Sequence, residues 1–261
     1  MTHLFSVGSL VKSALLLSLV ASATVLDRAD AECQTIHVRR EIRDLLPHEF
    51  AQFAEAIKTL MNGPRPNVYD KYVEYHMKYQ KEAHGTPIFL PWHRKYLKEL
   101  ENELQHVSPG TILPYWDWSA DAQAPELSDV LSGNYFGGDG QGPSQCITNG
   151  VFKDFKPYHR ADGTPECIAR KFDQNGRIGA FANPEELLDI ITNSHGYDDF
   201  RAKLEGYPHG RVHNGLGSSF STMASPNDPL FYMHHAHVDK IWYDWQQAHP
   251  NLANDFGASD R

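Results

Sequence analysis

Histidine placement constrains this chain more than any other feature. Of its 261 residues 15 are histidine, and several of these sit where a helix should present an apolar side chain. After Pro66, the residues Tyr69, Tyr72, Val73 and His76 recur at i, i+3, i+4 and i+7, which turns His76 toward the core of a predicted helix. From Pro91, His93 heads a stripe completed by Leu97, Leu100 and Leu104. His209 and His213 stand four apart, on one side of a helix. His235 shares a face with Phe231, Val238 and Trp242. A buried imidazole is costly without a partner, so a fold that buries this many, with His84 close by in sequence, must give them one in common.

Periodicity accounts for much of the remaining chain. Phe50, Phe53, Ala54, Ile57, Leu60 and Met61 repeat at helical spacing between Glu49 and Met61, and Asn62-Gly63-Pro64 stops the pattern. Asn183, Pro184 and Glu186 match the cap, first and third positions of a helix running through Leu187, Leu188 and Ile191. Further helices are predicted from Tyr197 to Glu205, from Pro208 through His213, and after Asn227-Asp228-Pro229. Between Thr111 and Lys171 only fragments of periodicity survive among Gly, Ser, Asp and Pro, which predicts a long irregular region. The reading is a mainly α single domain with Trp92, Trp116, Trp118 and Trp242 in its core.

Composition excludes several classes. With 41% hydrophobic and 22% charged residues the chain is neither disordered nor collagen-like, and a formal charge of -9 lacks the basic excess that binding nucleic acid requires. Lys12 followed by the apolar run Ser13 to Leu26 reads as a secretory signal too short to span a bilayer, with small-residue cleavage sites after Ala23 and Ala31. Residues 1–31 are therefore expected to be a signal peptide and 32–261 one secreted domain with no membrane segment. Cys33, Cys146 and Cys167 then remain. Cys146 and Cys167 can close a loop in the irregular region, but an odd cysteine leaves the pairing open.

The histidines divide into His76, His84 and His93 from the first half of the chain and His209, His213 and His235 from the second. Each trio can bind one metal ion through nitrogen and leave a coordination position open. Imidazole serves copper, zinc, iron and nickel alike. However, no Asp or Glu lies within these motifs at a ligand spacing, whereas paired hydrolytic metals usually share carboxylates. A neutral, all-nitrogen set favours copper. Two coppers facing one another can each give an electron to dioxygen, which is redox chemistry rather than hydrolysis.

Two motifs carry a resemblance. His84-Gly85-Thr86-Pro87-Ile88-Phe89-Leu90-Pro91-Trp92-His93-Arg94, extended to Glu101, is similar to the first copper signature of the tyrosinase and catechol oxidase family. Asp228-Pro229-Leu230-Phe231-Tyr232-Met233-His234-His235-Ala236-His237-Val238-Asp239 is similar to the second, and Pro114-Tyr115-Trp116-Asp117-Trp118 between them resembles the family too. The resemblance covers roughly residues 33 to 250. It implies a central four-helix bundle holding a dicopper site, with long irregular loops, that oxidises o-diphenols to o-quinones with dioxygen. By position it implies His76, His84 and His93 as ligands of one copper and His209, His213 and His235 of the other, with His234 beside the site. Phe89 and Arg94 lie in the first signature; Phe231, one turn before His235, can pack on that ring, and Asp239 can hydrogen-bond a ligand or pair with Arg94.

The match also has departures. Members that hydroxylate monophenols often keep a glutamate four residues before the first ligand of the second set and an asparagine directly after that ligand, together orienting a water. Glu205 fills the first position, but Gly210 stands in the second, and Asn214, one turn later, is a candidate substitute. The expectation is strong diphenol oxidation and slow monophenol hydroxylation. Residues 77–83 contain no cysteine, so the thioether that some relatives form to the ligand ring at the position of His84 is not expected. The chain ends soon after Trp245, so neither is the C-terminal shielding domain of latent relatives. Gly215 and Gly217, beside Ser218 and Ser219, predict a mobile rim on which Phe220, Thr222 or Met223 sets the size of a small phenolic substrate. A hemocyanin-type dioxygen carrier is the main alternative, and a zinc protein a distant third.

Overall fold

A computed structural model describes residues 36–161 and 165–257. The chain divides into a unit of residues 1–36, of which only Ile36 is described, and a unit of residues 37–261. The expected signal peptide, with its cleavage sites after Ala23 and Ala31, and Cys33 lie outside the described residues. The larger unit is mainly helical. Its described strand pairing is limited to isolated bridges, such as Glu41 with Tyr115.

Helix α1 (Pro47–Met61) buries Phe50, Phe53, Ala54, Ile57, Leu60 and Met61, and the Glu49 carboxylate accepts the Leu46 amide at its start. α2 (Val68–Lys78) is capped reciprocally by Asn67 and Asp70, and it buries Tyr69, Tyr72, Val73 and His76. A four-residue turn, α3 (Gln80–Ala83), leads to His84 and then to α4 (Phe89–Val107), which begins before Pro91 and buries His93, Leu97, Leu100 and Leu104. Proline is tolerated there because the first turn of a helix has no use for its amide. α5 (Pro184–Asn193) carries the expected Asn183–Glu186 box, with both hydrogen bonds at 2.9 Å. α6 (Tyr197–Leu204) follows.

Pro208 does not open a helix of its own. It lies inside a π-helical turn, Glu205–His209, that joins α6 to α7 (Gly210–Leu216). Proline has no amide for the ladder, and a widened turn absorbs the missing bond without ending the helix. Helix α8 (Leu230–Ala248) is buried on all sides from Leu230 to Val238, the mark of a central helix.

The stretch between α4 and α5 contains two single 3-10 turns, Pro125–Leu127 and Asp129–Leu131, and is otherwise irregular. It is nevertheless well anchored. The Trp116 amide donates to the Met233 carbonyl of α8, and Trp116 and Trp118 are wholly buried. Cys146 bonds to Cys167, with Cα atoms 5.7 Å apart. Arg170, fully buried, grips Asp228 at the start of α8 in a two-pronged ion pair of 2.8 and 3.0 Å, and donates to the Gly137 carbonyl. No helix among the described residues is long and apolar enough to cross a membrane.

Two sequence expectations need correction. Trp116, Trp118 and Trp242 are core residues, but Trp92 is only half-buried, stacked on Tyr96 at 4.8 Å in the wall of a surface groove. The glycines after His213 are packed rather than mobile. A Cβ at Gly215 would lie 2.8 Å from Ile178, and one at Gly217 would collide with the Lys171 carbonyl. Phe220 is buried with them, leaving Met223 as the exposed apolar side chain of that rim.

Candidate metal centre

Two groups of histidines converge between α2, α4, α7 and α8. The ligand atoms of His76, His84 and His93 lie within 4.8 Å of one another, and so do those of His209, His213, His234 and His235. The groups adjoin. His93 and His235 stack across the junction with ring centres 4.3 Å apart and planes 12° from parallel, and His84 and His209 are 6.5 Å apart. Phe89 packs against His93 at 4.8 Å and His209 at 5.0 Å, and Phe231 packs against His235 at 4.1 Å and His76 at 5.0 Å. Two phenyl rings thus brace both groups.

Backbone carbonyls set the direction of five rings. Nδ1 of His76 lies 2.8 Å from the Met223 carbonyl, His84 3.1 Å from Gln80, His93 2.8 Å from Phe89, His209 3.1 Å from Glu205, and His213 2.7 Å from Phe220. A carbonyl only accepts, so each Nδ1 carries the proton and each Nε2 keeps a bare lone pair. The Nε2 atoms of His76, His93 and His209 are buried without a hydrogen-bond partner, as is Nδ1 of His235, whose Nε2 lies 3.3 Å from that of His213.

Burial holds these rings neutral. It pushes His76 down to about 3 and His213 to about 4, and drives His93, His209 and His235 well below the usual imidazole value, while His84 is lowered as well. Orphaned buried nitrogens fixed in one tautomer, with no carboxylate in either group, are what a soft or borderline divalent metal requires. The residues therefore fit a pair of copper ions.

The comparisons with known proteins point the same way. A family model described as the common central domain of tyrosinase matches residues 66–248. The chain belongs to the tyrosinase family. Tyrosinase ustQ of Aspergillus flavus is 35% identical over 84% of this chain, and the tyrosinase of Streptomyces glaucescens is 34% identical over 82%. The chain spans 66% of the length of the first and 84% of the second. A solved mutant polyphenol oxidase from Thermothelomyces thermophila superposes with a TM-score of 0.71 at 24% identity, covering 85% of this chain and 75% of that one. A functional unit of octopus hemocyanin gives 0.52 at 21%, covering 81% and 53%. These last two are likenesses of fold. As a tyrosinase-family member the chain is a type-3 copper protein, with two copper ions as cofactor and dioxygen as co-substrate.

Around the rings, Arg94 pairs with Asp239 at 2.5 Å and lies 3.6 Å over the Trp242 ring, so Asp239 orients an arginine rather than a ligand ring. Arg39 joins Asp239 to Glu101. His234 is not peripheral to the second group: its ring stacks on His209 at 5.2 Å, and neither of its nitrogens has a partner. Asn214 is exposed on α7, and Gly210 starts that helix. Both Glu205 carboxylate oxygens are engaged, one by the Gly85 amide at 2.6 Å and the other by Arg201 at 2.9 Å. Sequence reasoning missed Arg39, Arg170, Arg201 and the orienting carbonyls. Carbonyls carry no sequence signal, whereas the four-residue spacing of Arg201 and Glu205 did carry one.

Proposed function

We propose that this protein oxidises o-diphenols to o-quinones with dioxygen, with His76, His84 and His93 holding one copper and His209, His213 and His235 the other. The observation that carries the reading is the adjoining pair of neutral histidine groups, in which Nε2 of His76, His93 and His209 is buried without a partner. Bound copper supplies the electron transfer from diphenol to dioxygen. The protein's part is to hold five of the rings by the Nδ1 proton and His235 by its packing on Phe231, and, through Phe89 and Phe231, to keep water from the ring edges. His234, stacked on His209, is read as a neighbour of the second copper's three ligands. We read residues 32–261 as one copper domain, secreted behind the leader 1–31. The Cys146–Cys167 disulfide, which persists in an oxidising compartment, supports this. Small phenols, and neither nucleic acid nor membrane, are its partners.

Hydroxylation of monophenols is slow in this reading. It requires a group that takes the phenolic proton, and Glu205 is the candidate, aided by Asn214. Yet the Glu205 carboxylate already accepts two hydrogen bonds, and Gly210 has no side chain with which to hold a water beside it. The fold likeness to hemocyanin keeps one second reading, reversible dioxygen binding without turnover. Adding catechol to the aerobic copper-loaded protein separates the two. Quinone formation with matching oxygen uptake is expected. Uptake that reverses under vacuum and leaves catechol intact would establish a carrier, and one zinc per chain in place of two coppers would defeat both.

A further inference from the structure

His84 is held differently from the other five rings. His76 and His93 ride on helices of 11 and 19 residues, and His213 and His235 on α7 and α8. His84 follows a helix of four residues and opens a loop that turns at Gly85, whose φ of +68° lies in the left-handed region. Its Nδ1 partner is the Gln80 carbonyl of that same short turn, and Thr86 likewise bonds back to Glu82 within the segment. Such local bonds shape the loop without locating it. The carbonyls of Thr86 and Ile88 accept amides of the first turn of α4, and two further hydrogen bonds fasten the loop across to α6 and the turn that follows it. Tyr197 donates its hydroxyl to the Pro87 carbonyl at 2.6 Å, and the Gly85 amide donates to Glu205 at 2.6 Å.

Glu205 is unusual in serving both histidine groups. Its backbone carbonyl lies 3.1 Å from Nδ1 of His209, and its side chain takes the amide next to His84. Arg201, one helical turn earlier, holds the other carboxylate oxygen in an ion pair whose side chains are 14% and 13% exposed. A mostly buried pair of this kind keeps one geometry far better than an exposed one. We infer that Glu205, braced by Arg201, is a positioning residue that locks the His84 loop onto the π-helical turn and so fixes His84 relative to His209. The inference rests on the proposed copper site but not on which phenol is oxidised. It also gives Glu205 a task other than accepting a proton from substrate.

The test compares Glu205→Ala, Glu205→Gln and Arg201→Ala with wild type, each loaded with copper and then challenged with graded chelator. Copper per chain and hydrogen exchange of the Gly85 amide are followed together. Loss of a residue that orients a metal ligand typically costs 10- to 100-fold in metal affinity. The alanine variant at 205 is expected to release one of its two coppers at roughly 10-fold lower chelator while keeping the other, with the Gly85 amide exchanging faster. Glutamine retains an acceptor for that amide and should restore most of the lost affinity, and Arg201→Ala should fall between. Should Glu205→Ala prove too unstable to load, the comparison of Glu205→Gln with Arg201→Ala decides alone. Variants that hold both coppers like wild type, or that release both together, overturn the clamp while leaving the copper site standing. Wild type that never binds two coppers overturns the site, and the clamp with it.

Discussion

At the scale of single residues, the protein spends hydrogen bonds on one end of five of the six imidazoles so that the other end stays bare. The cost appears when copper is absent. On unfolding, the rings regain an ordinary pKa near 6.5, so below that pH the unfolded chain binds protons that the folded chain refuses. Copper-free protein should therefore lose stability as pH falls from about 6.5 toward 4, by about 1.4 kcal/mol per pH unit for each ring that gains its proton only on unfolding. Urea midpoints at pH 7.5 and pH 5 measure this, and equal midpoints would contradict it. Gly210 offers a second residue-scale test. Its φ is helical and a Cβ there would meet only the Glu205 carbonyl, at 3.4 Å, so asparagine fits. Gly210→Asn should shorten the lag on tyrosine relative to its ortho-hydroxylated analogue. An unchanged lag means that the missing amide is not what limits hydroxylation.

At the scale of elements, α8 depends on what holds its first turn. Arg170 reaches Asp228 from the irregular region and is enclosed completely, so removing either partner strands a buried charge. Asp228→Asn or Arg170→Met should cost about 3–5 kcal/mol in chemical denaturation, and a loss below 1 kcal/mol would show that the pair is not what anchors the helix. The helices themselves were legible from apolar spacing, because each buries one stripe, and the Asn183–Glu186 box was legible as a cap. Pro208 was not. Sequence rules treat proline as a helix start, and only the tertiary setting, with His209 needed on the same axis as His213, makes a π-helical turn the better solution. The same holds for Gly215 and Gly217, where a glycine needed for close packing reads like one needed for mobility.

At the scale of the whole molecule, two halves of the chain meet through imidazoles set in one aromatic core, where Tyr69 and Tyr96 both pack on Tyr232, and a long irregular segment ties the back of α8. That segment has little regular backbone bonding, so the cross-link between Cys146 and Cys167 should matter to it. Cys146→Ser with Cys167→Ser is expected to lower stability by about 3 kcal/mol, the loop-closure value for a link of this span, read as a shift in the thermal midpoint. An unchanged midpoint would mean that the Trp116, Trp118 and Arg170 contacts suffice. Which rings would converge was readable from two dense motifs. His234 was harder to place, because adjacent positions on a helix differ by a rotation that only packing resolves. The most direct measurement is anomalous diffraction at the copper edge from crystals of the loaded protein. Two peaks are expected, one among His76, His84 and His93 and one among His209, His213 and His235, near enough for a single diatomic molecule to touch both. A single peak, or two separated beyond that reach, would contradict the account.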